Sequence, residues 1–317
     1  MLEQLSKIGI VPVIKIEDAK KAVPLAKALM DGGLPAAEVT FRTDAAAEAI
    51  SEIAKNVPGM LVGAGTVLTV EQAKQAVDCG AKFLVSPGLN PKVVQWANDN
   101  GVLILPGVNT PSEIETALEL GLKTVKFFPA EQSGGLPKIK AMCAPYGKIT
   151  FMPTGGVSLD NLNDYLSFKK VVACGGSFMV KEDLIENEDW AEITRLTRAA
   201  VDKMLGLSLA HVGINASDEA EADKVTEGFA GLLNMATKSG NSSNFVGSII
   251  EVMKSPYLGK CGHIAISTNY IDRAVYHLDL RGFKFDENTK KYNAKGDFVA
   301  IYFEGEIGGF AVHLVQK

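Results

Sequence analysis

Lys126 lies in the stretch "KFFPAEQSGG" (126–135), flanked by Val125, Phe127, Phe128 and Pro129. Lysine is among the side chains least often fully buried, so an amine in such a run either ends at a cleft or needs dry surroundings for its chemistry. An ordinary lysine, with a pKa of about 10.4, is a free amine to roughly one part in 10³ at neutral pH. Apolar neighbours and a nearby cation both disfavour the ammonium form, and a depression of about three units would raise the free-amine fraction about a thousandfold. Phe127, Phe128 and Pro129 are suited to the first effect and Arg42 to the second. A free amine at such a place can attack a ketone and form a Schiff base. The competing reading is an ion pair between Lys126 and Glu38 in the core of a barrel.

Short apolar runs alternate with helix-period segments along the first two thirds of the chain, the pattern of βα units on a parallel sheet. The runs are "IGIVPVIKI" (8–16), "AAEVTF" (36–41), "MLVGAGTV" (60–67), "KFLVSPG" (82–88), "VLILPGV" (102–108), "TVKFFPA" (124–130), "ITFMPTGG" (149–156) and "VVACGGSF" (171–178). Eight such units within about 200 residues predict a (β/α)8 barrel. A doubly wound open sheet is the main competitor, but its early glycine-rich turn is missing from the first unit. Strand parity then places Glu38, Thr40 and Arg42 on one face of the second strand, and Lys126 and Phe128 on one face of the sixth. Thr66 ends the third strand and Thr154 the seventh. Active sites of such barrels lie at the C-terminal strand ends, so one amine, one carboxylate, one guanidinium and two hydroxyls are expected at one rim. The paired glycines of "TGGV" (154–157) and "CGGS" (174–177) predict a phosphate cradle of backbone N–H groups, or, more plainly, tight βα turns.

Read together, "EVTFRT", "GAGTVL", "SPG", "PGVNTPSE", "KFFPAE", "PTGGV" and "CGGSF" make residues 1 to about 204 resemble the 2-keto-3-deoxy-6-phosphogluconate / 4-hydroxy-2-oxoglutarate aldolase family of class I aldolases. The resemblance implies that Lys126 forms the imine with a 2-keto acid and that Glu38 shuttles protons. It implies that Arg42, Thr66 and Thr154 hold the pyruvyl carboxylate and orient the enamine, and that Pro87 and Phe128 wall the pocket. Gly155, Gly156, Gly176 and Ser177 would bind phosphate. No metal cofactor is implied, because the iminium replaces a Lewis acid, and a homotrimer is expected. Phe178 departs from a family that often carries tryptophan there.

Beyond about residue 207 the texture changes. "LAHVGI…IIEVM" and "CGHIAI…FAVHLV" form a weak repeat of about fifty residues, so residues 1–206 and 207–317 are expected to be a barrel and a smaller α+β domain of paired βαβββ modules. "SSNFVGSIIEVMK" (242–254) reads as strand, and a helix is expected near 270–282. His211, Glu251, His263 and His313 stand at the two ends of the two copies, while His277 reads as a surface residue of the helix. Paired modules of this kind resemble the vicinal oxygen chelate (glyoxalase/bleomycin-resistance) superfamily, which implies a divalent metal on these four residues. Nitrogen and oxygen donors suit Zn, Ni, Fe or Mn. His313 departs from the superfamily's common glutamate. The plainer reading is a degenerate module used for dimerisation or binding.

Bulk properties fit a globular protein: 47% hydrophobic and 22% charged residues, with a net charge of −5 that suggests no nucleic-acid partner. Four widely spaced cysteines fit free thiols in a reducing cytoplasm, and no apolar run of spanning length or signal peptide is read. The expected function is reversible cleavage of phosphorylated or unphosphorylated 2-keto acids, small molecules being the only expected ligands besides the metal. The alternative is a non-catalytic or isomerase-type phosphate-binding barrel, with activity in a metal-dependent C-terminal domain.

Overall fold

The computed structural model describes Met1–Lys317 and divides into two compact units, Met1–Met204 and Leu205–Lys317. The division falls at the end of the helix Trp190–Leu205.

The first unit carries strands β1 (Ile10–Ile14), β2 (Ala36–Thr40), β3 (Leu61–Gly65), β4 (Phe83–Val85), β5 (Leu103–Leu105), β6 (Gly107–Val108), β7 (Thr124–Phe127), β8 (Thr150–Pro153) and β9 (Cys174–Gly176). They pair in parallel in the orders β5-β4-β3-β2-β1-β9 and β6-β7-β8. β5 and β6 are halves of one barrel strand interrupted at Pro106, which has no N–H to give a ladder. Its carbonyl still accepts from Lys126 N at 2.9 Å. Bridges Phe151–Val171 and Thr154–Gly175 join β8 to β9, and the ring of eight closes. Fully buried strands read as near-continuous apolar runs, which is why these segments were recognisable.

Helix starts follow local chemistry. Thr110 and Glu113 form a capping box on Pro111–Glu119, Thr69 caps Val70–Asp78, and Asn90 caps Pro91–Asp99. Each helix presents an apolar stripe to the barrel: Leu25 and Leu29, Ile50 and Ile53, Val93 and Val94, and Ile114 are all buried. Each such side chain contributes about 1.5–3 kcal/mol on burial.

The second unit is one eight-stranded sheet. Its strands are β10 (Ser208–Asn215), β11 (Thr237–Ser239), β12 (Ser243–Val246), β13 (Ile250–Met253), β14 (His263–Thr268), β15 (Phe285–Tyr292), β16 (Phe298–Ile307) and β17 (Phe310–Gln316), with helices Glu219–Leu233 and Ile271–Leu280. The order β11-β12-β13-β10-β14-β17-β16-β15 is two βαβββ copies joined by antiparallel pairing of their first strands, β10 and β14. In each copy the first and fourth strands pair in parallel.

Two sequence readings of this unit are corrected, and two edge strands were not read. The single strand expected over 242–254 is a hairpin, β12 and β13, because Gly247 turns the chain at φ +57. β11 and β15 carry too few apolar residues to be read as strands, yet they edge the sheet. His277 is not a surface residue: it is 2% exposed, on the inward stripe with Ile271, Ala274 and Leu278.

Candidate functional site

β2 and β7 are the second and sixth of eight barrel strands, and they face one another across the interior. Lys126 Nζ from β7 therefore reaches within 3.6 Å of Glu38 Oε1 from β2, both side chains buried. That separation is an ion-pair distance but too long for a good hydrogen bond. Neither Glu38 oxygen has any hydrogen-bond partner, nor has Thr154 Oγ1. A buried carboxylate with no donor is costly and needs a reason. Gly65 supplies its space: a Cβ there would stand 2.2 Å from Glu38 Oε1.

Of the remaining predicted residues, Phe128 lies against this pair, while Arg42, Thr66 and Pro87 follow the ends of β2, β3 and β4. The Phe128 ring centroid lies 4.9 Å from Lys126 Nζ, as the shared strand face predicts. Arg42, just past β2, donates from Nε to Thr40 Oγ1 at 3.1 Å, and Thr40 donates to Ile14 O at 2.8 Å. The guanidinium is thus tethered at the strand end. Thr66 ends β3 at φ 55, a left-handed conformation that is strained for a threonine and that clusters at functional sites. Pro87 follows β4, and its carbonyl would stand 2.0 Å from a Cβ on Gly107.

An open cavity of about 590 Å³ is lined by Arg42, Gly156 and Ser177 together with Val13, Lys15, Val157, Ser158, Phe178, Val180, Lys181 and Glu182. It joins the guanidinium to the glycine turns behind β8 and β9. Gly155 and Gly156 have φ of +98 and +79, so their N–H groups point where an ordinary turn could not send them. Lys15, Ser158 and Lys181 were missed by sequence reasoning. Lys15 stands one residue beyond β1 at the mouth, a signal that counting strand ends could have found.

Residues 1–196 match the model of the aldolase family described as KDPG and KHG aldolase. The chain belongs to that family. It is 50% identical over 202 residues to the 2-dehydro-3-deoxy-phosphogluconate aldolase of Haemophilus influenzae, covering 64% of this chain and 95% of that one. It is 44% identical over 193 residues to the KHG/KDPG aldolase of Escherichia coli K12, covering 61% and 91%. Among solved structures it resembles the KDPG aldolase of Legionella pneumophila, solved with pyruvate captured as a covalent carbinolamine (TM-score 0.61, 36% identity, 63% of this chain and 98% of that one). The enzyme of Zymomonas mobilis ZM4 with 3-phosphoglycerate is similar (TM-score 0.60, 40% identity, 63% and 94%).

The family match ends before the second unit, which holds a cluster of its own. His211 on β10, Glu251 on β13, His263 on β14 and His313 on β17 converge from the first and fourth strands of the two copies. Glu251 Oε2 lies 3.1 Å from Nε2 of both His211 and His263, and those two nitrogens are 3.2 Å apart. One nitrogen from each of the three histidines falls within 4.8 Å of the others. Ser243 Oγ donates to Glu251 Oε1 at 2.6 Å.

Burial opposes ionisation of Glu251, but hydrogen bonds from His211, His263 and Ser243 outweigh it and hold the carboxyl well below its usual range. His313 is pushed down to about 3, first by burial and then by the neighbouring histidines, so its imidazole is neutral at physiological pH. Both of its ring nitrogens are buried without a partner. Gly213 pairs with both Glu251 and His263, and a Cβ there would stand 1.9 Å from the His263 ring. Three imidazoles and one carboxylate, with the His313 nitrogens orphaned and the backbone cleared at Gly213, fit a divalent metal.

Proposed function

We propose that the barrel is a Schiff-base aldolase that cleaves 2-keto-3-deoxy-6-phosphogluconate to pyruvate and glyceraldehyde 3-phosphate, or 4-hydroxy-2-oxoglutarate to pyruvate and glyoxylate. The observation that carries this reading is the buried Lys126–Glu38 pair at 3.6 Å, with both carboxylate oxygens free of other partners. Lys126 Nζ adds to the C2 carbonyl, and Glu38 passes a proton to the oxygen that leaves as water. The resulting iminium withdraws electrons from C3. Glu38 then takes the proton of the C4 hydroxyl, the C3–C4 bond breaks, and the aldehyde departs. Protonation of the enamine at C3 and hydrolysis of the imine release pyruvate and restore the amine. Arg42, Thr66 and Thr154 would hold the pyruvyl carboxylate and the enamine, with Pro87 and Phe128 as walls. Gly155, Gly156, Gly176 and Ser177 would take the phosphate.

The deciding experiment is borohydride reduction in the presence of pyruvate, read by peptide mass spectrometry. A stable pyruvyl adduct on Lys126 is expected. Its absence, with cleavage activity intact, would show that the imine assignment is wrong. Comparison of kcat/KM on the two substrates would rank them. A homotrimer and a cytoplasmic location accompany this reading on family resemblance.

A second reading is supported by the four-residue cluster: residues 207–317 act as a vicinal-oxygen-chelate-like domain that holds one divalent metal on His211, Glu251, His263 and His313. A metal there would polarise a bound oxygen atom. Metal analysis of the whole chain against the His211→Ala, His263→Ala double variant tests it; equal metal content would remove the reading.

A further inference from the structure

The two βαβββ copies are alike in topology but differ in the residue that stands beside the fourth-strand ligand. In the first copy β12 pairs Phe245 with Glu251, and in the second β16 pairs Tyr302 with His313. Phe245 turns its edge to His211, with ring centroids 5.6 Å apart, whereas Tyr302 stacks on His313 at 4.5 Å and 19°. One aromatic wall is therefore purely apolar, and the other carries a hydroxyl. Tyr302 is 4% exposed, and its hydroxyl has no protein hydrogen-bond partner.

The same side carries a cation. Lys291 pairs with Ala300, two residues before Tyr302 on the same sheet face. Its ammonium lies 6.0 Å from the Tyr257 ring, which stands 6.1 Å from the Tyr302 ring, and its charge is felt at His313. Of the carboxylates nearby, Glu251 takes hydrogen bonds from Ser243 and the two histidines, and Asp286, opposite Tyr302, takes two from Asn288 on its Oδ1 alone. What this side offers a ligand is the Tyr302 hydroxyl and, exposed at its margin, the Lys291 ammonium.

We propose that this half of the centre is an anion-binding wall, and that the C-terminal unit takes a small carboxylate, one oxygen at the metal, another accepting from the Tyr302 hydroxyl, with Lys291 as countercharge. The inference rests on the metal reading above. A divalent ion with three imidazoles and one carboxylate keeps a net positive charge, and Lys291 offsets Asp286 opposite Tyr302, so an anion is the favoured occupant. Phe245, on the other wall, suits the ligand's apolar part.

The test uses the full chain carrying Lys126→Met, so that no imine can form in the barrel, loaded with Co²⁺. Pyruvate is the probe, and its uncharged amide the control. Pyruvate is expected to change the visible spectrum of the bound Co²⁺, with the amide at least about tenfold weaker. Tyr302→Phe, which keeps the stacked ring and loses only the hydroxyl, and Lys291→Met should each retain Co²⁺ and raise the half-saturation for pyruvate by about tenfold, the loss of one charge-assisted contact. Bound Co²⁺ with no response to pyruvate, an amide as effective as the acid, or unchanged half-saturation in both variants would overturn the proposal while sparing the metal. Failure of the chain to take up Co²⁺ would overturn both.

Discussion

Glu38 and Lys126 meet across the barrel at 3.6 Å, and no other side chain donates to the carboxylate. A buried carboxylate so placed is free to exchange protons with a substrate on the amine. Glu38→Gln keeps the shape and removes the base. The expected result is a fall in kcat of about 10²–10⁴, the usual worth of a positioned general base, with borohydride trapping of pyruvate slowed, because Glu38 also assists loss of water from the carbinolamine, but reaching the same end point. No adduct even after long incubation would instead mean that Glu38 only sets the position of Lys126.

The position of Glu38 depends on a residue that does no chemistry. A Cβ on Gly65 would lie 2.2 Å from Oε1 and 2.7 Å from Cγ of Glu38, in a strand with no exposed face. Gly65→Ala must push the carboxylate aside or the strand outward. Overpacking of this kind costs about 1–3 kcal/mol. A lower melting temperature and at least a tenfold loss of kcat are expected, whereas Gly147→Ala, where a Cβ meets nothing within 4 Å, should be silent in both assays.

Lys15 offers a way to separate the two substrates. Its ammonium sits 2.9 Å from Glu17 and 3.1 Å from Glu182, both largely solvent-exposed, at the edge of the cavity that holds Gly156 and Ser177. Exposed pairs of this kind contribute little, whereas a doubly charged phosphate offers a stronger charge-assisted contact, so a phosphate dianion should draw the lysine away. Lys15→Met is therefore expected to lower kcat/KM about tenfold for the phosphorylated substrate, mostly through KM, and to leave 4-hydroxy-2-oxoglutarate nearly unaffected. Equal losses on both substrates would make Lys15 a structural residue.

Much of this site was legible because strand parity is strict. Once "EVTFRT" and "KFFPAE" were read as strands ending at the same rim, Glu38, Arg42, Lys126 and Phe128 had to converge. The histidines of "HVGI" and "HIAI" were legible as equivalent positions of the repeat, one on the first strand of each copy. Lys15 was not, since it lies in an apolar run whose end the alternation does not mark. Nor was the role of Gly65 or Gly213, because a residue that acts by occupying no space leaves no chemical signature. His277 was misread because a polar residue on a helix was taken for a surface one, although it lies three residues after Ala274 and next to Leu278 on the buried stripe.

The clearance at Gly213 gives the sharpest test of the second unit. Gly213 stands between Glu251 and His263 in the sheet register, and the His263 ring fills the place where its Cβ would be, with Cε1 at 1.9 Å and both ring nitrogens at 2.2 Å. The ring is itself buried, 2% exposed, so it cannot swing into solvent to make room. Its counterpart in the second copy, Ala265, tolerates a methyl group between His211 and His313. Gly213→Ala should therefore displace one ligand and leave the other three, and loss of one donor from a four-donor site weakens binding steeply. By metal analysis after dialysis the variant should fall from about one divalent ion per chain to a small fraction of that. Aldol cleavage by the barrel should stay within about twofold of the parent, and a chelator should reproduce both results in the unmodified chain. Metal content equal to the parent's would mean that His263 is not a ligand.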